Sequence, residues 1–136
     1  MPRPDERQSE KELEKLLGEA SWLLSHAEAL ADYGRQREAT TEWARAANCE
    51  EEAACLLDAA GREDEAVVHR VSAASCREHL GEYARAVTLL RAALSGHLTG
   101  DYERSIQRQL AACLKLARPA RAPLAAQTPG HAVAVA

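Results

Sequence analysis

The chain has 136 residues, with 21 acidic against 17 basic side chains and a net charge of −4, so no overall positive field draws it to nucleic acid or to an anionic membrane surface. Apolar residues make up 46% of it, yet aromatics are only 4% and phenylalanine is absent, which calls for a core of alanine and leucine held by many small contacts. That length suits a single domain.

Residues 1–8 carry two prolines and mixed charge and are expected to be disordered. They hold no apolar stretch of the kind a secretion signal carries. Ser9 and Glu12 have the spacing of a capping box, in which each side chain satisfies the other's free backbone N–H. Leu13, Leu16, Leu17, Ala20, Leu23, Leu24, Ala27 and Leu30 then recur every three or four residues, as one face of a long helix does. Gly34 is its expected stop, in the left-handed conformation that ends many helices.

A second helical pattern runs from about Arg37 to Ala59, with a break expected at Asn48, where Glu51 three residues on would complete a fresh cap. A third covers Glu63 to Leu80 between Gly61 and Gly81. The fourth runs from about Tyr83 to Leu94. The fifth starts at Asp101 as N-cap and ends near Ala117, because Pro119 and Pro123 oppose further helix. Residues 118–136, rich in alanine and proline, read as a flexible tail. No apolar run reaches the roughly 18 residues of a membrane span. The expected location is cytoplasmic, with Cys49, Cys55, Cys76 and Cys113 reduced.

Four stretches share one phrase, each hinged on a glycine: Gly34, Gly61, Gly81 and Gly100. Small residues follow at fixed offsets, first Ala39, Ala66, Ala86 and Ser105, then Ala46, Ala73, Ala93 and Ala112. Ala27, Ala54, Ala74 and Ala93 precede the turns. Antiparallel helices joined by a tight turn approach closely only where a small side chain meets its neighbour. These offsets, with the phrases "LGEYARA" and "TGDYERS", resemble the tetratricopeptide repeat over roughly residues 20 to 117. The resemblance implies stacked helical hairpins and a surface that holds a peptide or a helix of another protein. The glycines lie 27, 20 and 19 residues apart against a family period of about 34, so the later turns are expected to join single helices. The expected fold is all-α, five or six antiparallel helices over residues 9–117 in a short array or bundle.

Chemistry-bearing patterns are few. There is no glycine-rich phosphate loop, nucleophile elbow or H-E-x-x-H, and the carboxylates of "CEEEAAC" and "GREDEAV" crowd helix N-termini, where they complement the dipole. No catalytic residue, cofactor or metal is therefore expected. The expected function is non-enzymatic protein–protein interaction, an adaptor or scaffold, with Trp22, Arg45, Arg70, Arg77 and Arg91 as candidate partner contacts. A short array also leaves an apolar side open to self-association. Two alternatives stand beside this: a bundle holding a ligand or metal around Cys76, His69 and His79, and an adaptor that docks through its tail, "PGHAVAVA", by strand addition.

Overall fold

Helix α1 (Pro4–Asp32) begins with proline at its first turn, where the missing N–H costs nothing and the fixed φ suits the helix. The Glu6 carboxylate accepts the Arg3 backbone N–H at 3.0 Å, and Asp5 and Glu6 lie on the positive end of the dipole. The helix thus starts ahead of Ser9, and residues 4–8, expected to be disordered, form its first turns. The structure, a computed structural model, describes the backbone of residues 1–135 and the side chains of residues 1–117. Five helices make up most of it, and the described residues contain no strand.

Helix α2 (Gln36–Ala59) runs unbroken through Asn48. The asparagine does not cap a new helix because its Oδ1 accepts from Arg77 Nη2 at 2.9 Å. Next come α3 (Glu63–His79), α4 (Tyr83–Leu94) and α5 (Gly100–Val135). The Thr99 carbonyl, not Asp101, opens α5 by accepting the Glu103 N–H at 2.9 Å. Asp101 lies in the first turn and pairs with Arg104. The helical trace of α5 carries past the stop expected near Ala117: Pro119 and Pro123 each remove a backbone donor without ending it. The flexible tail expected over 118–136 lies outside the residues whose side chains are described.

Three of the four expected turns share one geometry. Gly34, Gly61 and Gly81 have φ of 78°, 75° and 74°, the left-handed region that favours glycine. The next residue's N–H reaches back into the helix just ended: Arg35 to Leu30 at 2.8 Å, Arg62 to Leu57 at 2.8 Å, Glu82 to Arg77 at 2.9 Å. This double-bonded stop satisfies carbonyls that would otherwise be orphaned. The chain therefore reverses after each helix, and each helix packs chiefly on the one before and the one after. The result is an open up-and-down array.

Ala39, Ala66 and Ala86, and likewise Ala46, Ala73 and Ala93, are all 0% exposed, as close helix contacts require. The fourth phrase is out of step. Ser105 and Ala112 are exposed, and Ile106 and Cys113 are buried one residue later. The cause lies in the link before it: Ser95–Thr99 contains no left-handed glycine, and Gly100 opens a helix instead of closing one. Ala86→Leu should overpack its contact and cost roughly 1–3 kcal/mol. Thermal unfolding checks this, and an unshifted Tm would put Ala86 on the surface.

Candidate functional site

Polar side chains join the helices at several places, and two of them gather expected contact residues with their neighbours. At the α2–α3–α4 joint, Arg77 is only 8% exposed. Its Nε and Nη2 donate to Glu51 Oε2 at 2.9 and 2.6 Å, Nη1 to Glu82 at 3.0 Å, and Nη2 also to Asn48. Arg85 holds the other oxygen of Glu51. Burial pushes the Glu51 pKa up, but hydrogen bonds from Arg85 and Arg77 outweigh it and hold the carboxyl below its ordinary value. Arg77 was expected at an exposed rim. Its spacing explains the difference: four residues after buried Ala73, it lies on the packed side of α3.

Glu50, one residue earlier, is 4% exposed and its Oε2 lies 2.6 Å from His69 Nδ1. Ala39, Trp43, Ala46, Glu50, Ala53 and Leu57 recur at intervals of four and three, and all are buried, so this acid belongs to the core stripe of α2 and not to a solvated helix end. That spacing is the signal by which sequence reasoning could have found it. The three residues weighed as a metal or ligand centre have separate engagements. His69 holds Glu50, and His79 stacks on Trp43 with ring centroids 4.0 Å apart and planes 5° apart. Cys76 is fully buried, its thiol pushed up to about 12 by burial and then by Glu50. Among the described residues no group of three or more histidine, cysteine or acidic side chains is placed to hold a metal.

The second polar place is the shoulder between α1 and α2. Trp22 is 59% exposed and stacks on His26, centroids 4.6 Å apart. His26 Nδ1 lies 2.8 Å from Glu42 Oε1. Glu42 Oε2 is buried without a hydrogen-bond partner, and Arg45 approaches it at 3.7 Å while also reaching Glu19 at 3.5 Å. Trp22 and Arg45, two of the expected contacts, thus share one surface. Arg70 lies elsewhere, paired with Asp58 at the far end of α2, and Arg91 is exposed on α4. The five residues do not converge on one site. Among the described residues no helix is long and apolar enough to cross a membrane. No protein-family model, curated protein or solved structure matches the chain.

Proposed function

We propose that the chain is a non-enzymatic interaction module, a short helical-repeat adaptor of the cytoplasm that works by holding a protein partner on the outward side of α1. The observation that carries this is Trp22, an indole 59% exposed on an end helix. Large aromatic side chains supply much of the energy of protein interfaces. The open array supports it: α1 has a neighbour on one side only. So do the two buried charged side chains, which are taken up in joining helices, Glu50 to His69 and Arg77 to Glu51.

Affinity capture with the full chain from its native host tests this. Trp22→Ala should release the retained proteins, while Cys76→Ala with His69→Gln should leave them bound in a chain that still folds. The reverse pattern would favour the ligand-holding bundle.

A further inference from the structure

Charge is divided along the chain. Residues 1–82, through α3 and its turn, hold 19 acidic and 10 basic side chains, a net of −9. Residues 83–136, from the start of α4, hold 2 acidic and 7 basic, a net of +5, and no acid follows Glu103. The division is sharpest on the outward side of α5, the helix at the other end of the array from Trp22, which packs chiefly on α4. Arg104, Arg108, Ala111 and Lys115 recur at intervals of four and three, and all are exposed. They form one stripe opposite the buried Ile106 and Cys113. Asp101 begins this line and is tied to Arg104. Glu103 precedes Ile106 by three residues and Leu110 by seven, which sets it on the packed side of the helix. On the α3 side, Glu78 accepts from Gln109 and Glu82 from Arg77. No acid lies between Arg104 and Lys115, and among the described residues Arg108 and Lys115 take part in no ion pair, although most other parts of the surface are laced with them.

We infer that this face docks a helix of a partner protein that is acidic along one stripe. It is a second face, separate from the one that carries Trp22. The cations lie about 6 and 10 Å apart along the helix axis at 1.5 Å per residue, so acids one turn and then two turns apart on a second helix meet them in register. The exposed residues between them, Ser105, Ala111 and Ala112, are small, and a helix can come close over them. Past Lys115 an apolar cleft of about 410 Å³ opens where α5 meets the α3–α4 turn. Tyr83, Ala84, Leu116 and Ala117 line it, together with Glu82 and Arg85, which are already paired. Leu116 is 51% exposed there, and the cleft takes an apolar side chain from the docked helix, one turn past its last acid. A lipid surface fits worse, because the apolar side of α5 is already packed inside the fold. A nucleic-acid backbone also fits worse. Tight binding to it gathers several phosphate contacts, whereas the described stripe offers three cations, one of them tied to Asp101.

A labelled synthetic helical peptide tests this, with glutamates at the spacing of the stripe and a leucine one turn on. Fluorescence anisotropy with the full chain should show binding that weakens as salt rises. Arg108→Glu with Lys115→Glu should weaken it by about tenfold or more, and Leu116→Ala by about fivefold. Helical circular dichroism should not change, because all three side chains are exposed. Arg37→Glu makes the same change of charge at an exposed position near the start of α2 and should leave binding as it is. A peptide with lysines in place of the glutamates should bind the doubly reversed chain and not the wild type. No binding of the glutamate peptide at high micromolar concentration overturns the inference. So does equal binding of a glutamine version, or an equal loss in Arg37→Glu. Tighter binding of duplex DNA or of anionic-lipid vesicles through Arg108 and Lys115 overturns it in favour of that polyanion. Capture through Trp22 is read on the other end helix, so the two readings fail separately.

Discussion

Arg77→Met is expected to destabilise the chain by about 3 kcal/mol, the lower end of the range for removing one partner of a buried ion pair. Methionine keeps much of the volume and removes the guanidinium. Four hydrogen bonds are lost, to Glu51 twice, to Glu82 and to Asn48. The loss stays near the lower end because Arg85 still holds one Glu51 oxygen and because the Glu82 side chain, 49% exposed, can turn to water. Arg77→Lys should recover only part of it, since a single ammonium cannot reach acceptors on α2 and in the α3–α4 turn with the fixed fork of a guanidinium. Acid adds a second signature. The folded-state pKa of Glu51 is depressed, so its stabilisation is complete above the unfolded carboxylate pKa, about 4.3, and is lost as pH falls through the folded value. Chemical denaturation at neutral pH and through the acid range reads both effects. The acid limb should be shallower in Arg77→Met, and equal limbs would mean that the pair contributes little.

The turns at Gly34, Gly61 and Gly81 were legible in the sequence because a left-handed helix stop selects glycine almost alone, and the alanines at fixed distances followed from those stops. The fourth phrase shows where that logic fails. Gly100 looks the same in the sequence, but it opens α5, and the buried positions slip by one to Ile106 and Cys113. Asn48 and Arg77 misled for a related reason. An asparagine before an acidic run reads as a local cap and an arginine as surface, whereas here each satisfies the other across two helices, and such a pairing is invisible in local spacing. Glu50 was hidden by its neighbours: in "CEEEAAC" only the position four after Ala46 and three before Ala53 decides which acid is buried. On the surface, Trp22 was readable as one of two tryptophans, but its exposure depended on where α2 docks against α1.

Trp43→Ala should cost about 3–5 kcal/mol, the range for truncating a buried tryptophan, and in a domain stabilised by roughly 5–15 kcal/mol that is a large share. Trp43 is 5% exposed and is the one large ring in a cluster otherwise made of small and aliphatic side chains, Ala20, Leu23, Ala27, Ala46 and Ala47 among them. Alanines cannot lean into the space an indole leaves, so the site collapses poorly and the cavity term stays large. His79 also loses the ring it stacks on. Trp43→Phe should lose less, because a smaller aromatic still fills part of the volume. The contrast with Trp22 is the sharper check. Trp22→Ala removes an exposed indole and should move Tm little, while it releases the captured partner. Trp43→Ala should lower Tm steeply, and it should weaken partner capture only as the fold is lost, because this cluster is what docks α1 onto α2. Thermal unfolding and affinity capture on the two variants side by side separate core from surface, and equal stability losses would show that the two rings have been assigned to the wrong sides of the array.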